Sequence, residues 1–303
     1  MKRAIFLLIA ISILTTACFA QENLGARPIS MGGAFTGLAD DVNAVFVNPA
    51  GIGYLKGESA SISTKISEGR QYTIIGGVES TSVGAFGVGY ITSAFDLADP
   101  TETEYLSEGG ETPVRAMNQT LVLSYARQLN EFMVVPDNMG KLSLGTSVKF
   151  SSNKINTAKG LSEQSGTSGV KADVAAVFRA NDSLSWGLSM KNLFSKADKT
   201  DDSQADEGFD VAMGVSGNVF DKSLTWSAEG QCIGLEYRPT SVLAVRVGRD
   251  GDYNTSGIGV NLSGVSFDYA YLAKETPVHY VGVSVAVPEY NGSDTKQASL
   301  DIQ

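Results

Sequence analysis

Residues 141–150 read KLSLGTSVKF, and this stretch decides the fold. Leu142, Leu144, Thr146, Val148 and Phe150 fall on one side of an extended chain, while Ser143, Gly145, Ser147 and Lys149 fall on the other. Successive side chains of a strand point to opposite faces, so this strand separates two unlike environments. The same pattern recurs downstream. Ile258, Val260 and Leu262 oppose Gly257, Gly259 and Asn261; Val265, Phe267, Tyr269 and Tyr271 alternate with Ser266, Asp268 and Ala270; Val281, Val283, Val285 and Val287 alternate with Gly282, Ser284 and Ala286. A soluble sandwich also alternates. Here, however, the polar side carries isolated mid-strand charges, Lys149, Asp173, Lys191, Arg246 and Asp268, which suit a wet or hydrogen-bonded lumen.

Working outward from that stretch, period two predicts strands at 58–66, 70–79, 82–94, 117–129, 140–153, 167–180, 183–192, 208–219, 223–230, 232–238, 241–249, 254–262, 265–273 and 278–287. Residues 223–238 also fit one bulged strand. Parity favours two, because an even count returns both ends of the barrel to one side. Tight turns at Ser80-Thr81, Asn181-Asp182, 220–222, Pro239-Thr240 and Ser263-Gly264 fall on one rim, broken only by 130–139. The other rim receives the long acidic stretches 95–116 and 193–207 and the Ser/Gly/Lys-rich 154–166. Short turns on one rim and long loops on the other are the signature of an outer-membrane barrel. The expected fold is therefore all-β, a transmembrane antiparallel barrel of about fourteen strands.

Composition supports this and excludes other classes. With 43% hydrophobic and 18% charged residues and 33 glycines in 303 positions, the chain is too apolar for disorder and too glycine-rich for a helix bundle. Lys plus Arg number 23 against 33 Asp plus Glu, so the basic footprint of a nucleic-acid binder is missing. One His and two Cys leave little for a zinc site or a His-based triad. No catalytic residue, metal site or cofactor is expected, and the chain reads as a non-enzyme.

Met1-Lys2-Arg3 is a basic head, residues 4–14 are apolar, and 15–20 end in Ala17-Cys18-Phe19-Ala20: a secretory signal peptide over 1–20, cut before Gln21. A lipoprotein signal acylating Cys18 is the rival, against which Thr15 stands where an aliphatic residue is usual. Cleavage before Gln21 shifts the formal charge from -10 to -12 and leaves Cys232 without a partner for a bridge. No later apolar run approaches the roughly 20 residues of a spanning helix.

Two segments do not alternate. Residues 21–57 contain Met31-Gly32-Gly33-Ala34-Phe35, Ala39-Asp40-Asp41 and Asn48-Pro49-Ala50-Gly51. Asp40 or Asp41 is placed to cap a short helix over 42–47 that Pro49 ends, a piece too short to cross a bilayer. It is expected inside the barrel, spanning 58–287, as a hatch. The polar tail 288–303 opens with Pro288 and is expected free in the periplasm.

The run Gly25-Ala26-Arg27, Met31-Gly32-Gly33-Ala34-Phe35, Ala39-Asp40-Asp41 and Asn48-Pro49-Ala50-Gly51 resembles the N-terminal signature of FadL-like outer-membrane barrels, most closely the PorV/PorQ-type branch. Lys191-Asn192-Leu193, Leu235-Glu236-Tyr237 and 267–271 are further matches. The resemblance implies an outer-membrane location in a Gram-negative-type cell and a hatch folded inward around Asn48, Pro49 and Ala50. It also implies passive transport or binding of hydrophobic small molecules or, alternatively, a PorV-like scaffold whose partners are secretion-system proteins. Outer-membrane lipid is the expected surroundings.

Within that frame, the lumen charges Lys149, Asp173, Lys191, Glu236, Arg246 and Asp268 are expected to pair with each other and with Arg27, Asp40 or Asp41 of the hatch, since a charge shielded from water is costly unless paired. A structural role and a gating latch are both open to such a network. His279 reads as a rim histidine, and 198–207 as a solvated acidic loop without the spacing of a calcium loop. Gly84, Gly87 and Gly89 read as small lumen residues. Trp186, Trp226, Tyr90, Tyr125, Tyr269, Tyr271 and Tyr280 are candidates for aromatic girdles.

Overall fold

A computed structural model of the chain describes residues 25–67, 70–96, 115–131, 133, 136, 140–156, 165–197 and 208–287. The expected signal peptide, the tail and most of the long acidic loops lie outside these residues. Strands β1 (Glu58–Ser67), β2 (Arg70–Thr81), β3 (Gly84–Asp96), β4 (Arg115–Gln128), β5 (Lys141–Asn156), β6 (Ser165–Asn181) and β7 (Leu184–Ala197) form the taller part of the wall. It continues through β8 (Asp210–Val219), β9 (Leu224–Glu229), β10 (Cys232–Tyr237), β11 (Leu243–Asp250), β12 (Tyr253–Leu262), β13 (Val265–Leu272) and β14 (Val278–Val287). Every strand pairs antiparallel with its sequence neighbours, and β1 closes on β14 in a register running from Glu58↔Val287 to Ile66↔His279. Closure leaves no unpaired edge.

The expected count holds, and so does the division of 223–238: β9 and β10 are separate strands joined through Gly230, which takes φ +54 at the turn. The first tight turn differs in place. Strand β2 runs on to Thr81 and the turn is Ser82-Val83, where Thr81 Oγ1 donates to the Gly84 carbonyl.

The faces sort as the alternation requires. Leu144, Phe150, Ile258 and Phe267 point outward, 44–48% exposed, whereas Ser143 and Ser147 are buried inside. Tyr280 corrects one assignment: it is 2% exposed and points inward, the side its parity with Gly282 dictates, while Tyr269 and His279 lie outside with Tyr269 Oη 2.7 Å from His279 Nδ1. Cys232 is buried, with its Sγ 3.5 Å from Asp250 Oδ1; Cys18, on which the expectation for its pairing turns, lies outside the described residues.

The N-terminal segment fills the bore. It contains helix α1 (Ala26–Ser30), helix α2 (Ala44–Val47) and a 3-10 turn over Pro49–Tyr54. Helix α1 has no sequence counterpart above. The capping expectation also changes: Asn43 stands at the N-cap of α2, and Asp41 Oδ1 accepts from Asn43 N and Nδ2, both at 2.8 Å, just ahead of it. The α-helix ends at Val47, with Asn48 extended ahead of Pro49 as expected, and Pro49 opens the 3-10 turn that follows, where its missing N–H costs nothing at a first helical position. Two apolar clusters make the interior. Val45, Phe46 and Ile52 pack on Ile74, Val78 and Val122; Ile29, Met31 and Phe35 pack on Ala270, Leu272 and Tyr280.

Candidate functional site

The chemistry of the bore centres on Arg27, which α1 carries into the lumen. Its Nε and Nη2 donate to Glu236 at 3.0 and 3.2 Å; Nη1 donates to Asp40 and to Asp41 at 2.6 Å each. Glu236, fully buried on β10, also accepts from Arg246 Nε on β11 and pairs with Arg238 Nη2 at 2.8 Å. Arg246 Nη1 in turn reaches Asp268 on β13 at 2.6 Å. One connected network thus joins hatch residues Arg27, Asp40 and Asp41 to wall residues Glu236, Arg246 and Asp268. Burial works against the charge of Arg27, but the carboxylates of Asp40, Glu236 and Asp41 outweigh it and hold the guanidinium well above its ordinary pKa. A recess of about 500 Å³ lies between these hatch residues and Arg238, Asn261 and Ser284 of the wall, and its lining is polar and apolar in about equal measure.

The remaining lumen charges do not join this network. Lys149 Nζ pairs with Asp173 at 2.6 Å, and Asp173 also accepts from Ser147 Oγ and Asn192 N, both at 2.9 Å. The ladder between β6 and β7 shifts register there, and Asn192 takes φ +56, so the Asp173 carboxylate replaces a missing backbone acceptor at a bulge. Lys191 departs from the pairing expectation: it is 6% exposed and its ammonium has no hydrogen-bond partner among the described residues.

The other hatch positions act through the backbone. Gly32 and Gly33 take φ +67 and +77, turning the chain after α1, and Gly32 lies so close to β10 and β11 that a Cβ would sit 2.4 Å from the Ile233 carbonyl oxygen. Met31 is fully buried beside them. Asn48 Nδ2 donates to the Thr36 carbonyl at 2.9 Å while its Oδ1 accepts from Ala50 N at 3.2 Å, so it braces the Pro49-Ala50 turn. At the foot of the hatch, Tyr54 Oη donates to the carbonyls of Lys141 and Val177, and burial pushes its pKa up to about 12.

Two site residues were missed. Glu229 accepts from Phe35 N, Thr36 N and Thr36 Oγ1 at 2.9–3.1 Å, and Arg238 flanks Glu236. Parity would have found both: Glu229 shares the inward side of Thr225 and Ser227, and Arg238 that of Glu236.

No protein-family model matches the chain, and no curated protein sequence does. Solved structures do. The CymD monoaromatic hydrocarbon channel aligns at TM-score 0.63 and 12% identity, over 89% of this chain and 99% of CymD. The toluene transporter TodX of Pseudomonas putida aligns at TM-score 0.59 and 11% identity, over 89% and 98%. A FadL homologue of Pseudomonas aeruginosa aligns at TM-score 0.50 and 11% identity, over 86% and 98%. At these identities the likeness is one of fold alone, a closed fourteen-stranded antiparallel barrel.

Proposed function

We propose that this chain is an outer-membrane barrel that passes or binds small hydrophobic molecules, without enzymatic chemistry. In this reading residues 1–20 are removed as a signal peptide near Ala20, 21–57 form the hatch, 58–287 the wall, and 288–303 a periplasmic tail. The carrying observation is the apolar exterior of a closed wall. Exposed Ile62, Phe86, Leu123, Leu144, Val247 and Phe267 lie on strands around the barrel, where a soluble monomer would present polar side chains. The hydrocarbon channels of the same fold support the cargo class. Under this proposal the network around Arg27 latches the hatch to the wall.

The test is uptake of radiolabelled toluene by cells with an outer membrane, with and without the protein. A saturable, several-fold rise is expected. An unchanged rate, together with secretion-system proteins retained on the purified barrel, replaces this reading with the PorV-like scaffold, which a bore filled by the hatch suits equally well.

A further inference from the structure

We propose that the wall around β9–β11 is too short for an ordinary bilayer, and that the partner of its outer face is a locally thinned patch of lipid. Strand length carries the inference. Strands β9 and β10 have six residues each and β11 has eight, whereas β2 and β3, half a turn round the ring, have 12 and 13, and β5 and β6 have 16 and 17. A tilted strand needs about 9–11 residues to cross the hydrocarbon. Six residues extend about 20 Å. The tilt of a barrel strand leaves about 15 Å of that as height, against an apolar band of about 25 Å.

The side chains mark the same limits. Glu236 and Arg246 point inward and are buried, which leaves Ile233, Leu235 and Tyr237 as the outward row of β10 and Leu243, Val245 and Val247 as that of β11. Each row covers about 13 Å of strand, whereas the outward row of β5 from Leu142 to Phe150 covers about 27 Å. Polar groups close the short rows at both ends. Arg249, on the outward side of β11 opposite Ile233, is exposed with its Nε donating to the Gly251 carbonyl at 2.7 Å, and Gln231 and Asn254 near it are exposed as well. Thr240 and Ser241 are exposed at the other end. An arginine on the outer face is costly at mid-membrane and nearly free at the interface, so Arg249 belongs among headgroups. A bilayer meets a wall shorter than its hydrocarbon by thinning. The rows of three strands make a patch roughly 15 Å wide and 13 Å tall, far below the roughly 800 Å² per partner of a stable protein contact, which favours lipid over a second copy.

The inference rests on the membrane reading above, and its test keeps the two apart. Gln231→Trp, Leu235→Trp, Thr240→Trp and Leu144→Trp are made singly in the full-length protein carrying Trp186→Phe and Trp226→Phe, and each is placed in dioleoylphosphatidylcholine nanodiscs. Tryptophan emission is quenched by iodide from the water or by mid-chain brominated lipid. Iodide quenching at 231 and at 240 at least about fivefold stronger than at 144 is expected, with 235 quenched by bromolipid, because both ends of β10 then reach water across a thinned bilayer. Bromolipid quenching at 231 or at 240 equal to that at 144 would bury one end of β10 in hydrocarbon and overturn the inference. Shielding of 235 from both quenchers would put protein over the patch and overturn it too. Both of those outcomes leave the membrane reading standing, whereas iodide quenching at 144 as strong as at 231 removes that reading and the inference with it.

Discussion

The two halves of the hatch are held by different physics. Residues 25–41 add charge to fit: Arg27 spans three carboxylates and Glu229 takes the amides of Phe35 and Thr36, while Ile29, Met31 and Phe35 pack on the wall. Residues 42–55 are fastened by fit, with Val45, Phe46 and Ile52 against an apolar wall. A charged site needs every partner, because removing one leaves the others buried and uncompensated. An apolar site loses stability in proportion to the volume removed. The first half should therefore fail abruptly under substitution and the second by degrees.

The largest effect is expected at Glu236, where Arg27, Arg238 and Arg246 converge. Glu236→Ala should lower denaturant stability of the refolded barrel by about 3–5 kcal/mol, the range for a buried pair stripped of one member. Replacing Arg27 by Met in the same background should cost less than the same change costs the parent, because the Glu236 contact is already gone and only the pairs with Asp40 and Asp41 remain to be lost. Fully additive losses from the two substitutions would count against the latch.

On the apolar side Ile52 provides the graded contrast. Ile52→Ala should cost about 2–5 kcal/mol and Ile52→Val about 0.5–1.5 kcal/mol by the same unfolding assay. Equal losses from the two would mean that packing does not hold this half. Glu229→Gln keeps an acceptor for the two amides and removes only the charge, so about 1 kcal/mol is expected, the difference between charged and neutral hydrogen bonds. The exposed pair Arg127–Glu131, 3.5 Å apart and outside the hatch, sets the floor: Glu131→Gln should change stability by less than about 0.5 kcal/mol.

The wall was legible because each strand obeys one rule. Period two assigns a side to every residue, and strand ends followed within a few positions, as β1 and β14 illustrate. The separation of β9 from β10 came from a counting argument, since a closed barrel constrains strand parity where local composition does not. The hatch obeys no such period. Helix α1 has only five residues and lacks a capping side chain, so its helical turn is imposed by the wall around it. The bulge at Asp173 was invisible for a related reason, because its cause is the Asn192 amide on the next strand. Charge meetings such as Arg27 with Glu236, 209 positions apart, were legible only as a demand that buried charges find partners.

The central claim is that the outward apolar side chains of the wall face lipid while the enclosed side is filled by the hatch. Spin labels placed singly at Leu144 and Ser147 of the protein in bilayers test it most directly, by relaxation with lipid-soluble oxygen and with a water-soluble nickel complex. The account predicts strong oxygen relaxation and little nickel relaxation at residue 144, with residue 147 shielded from both. Strong nickel relaxation at residue 144 would place that face in water and contradict the account.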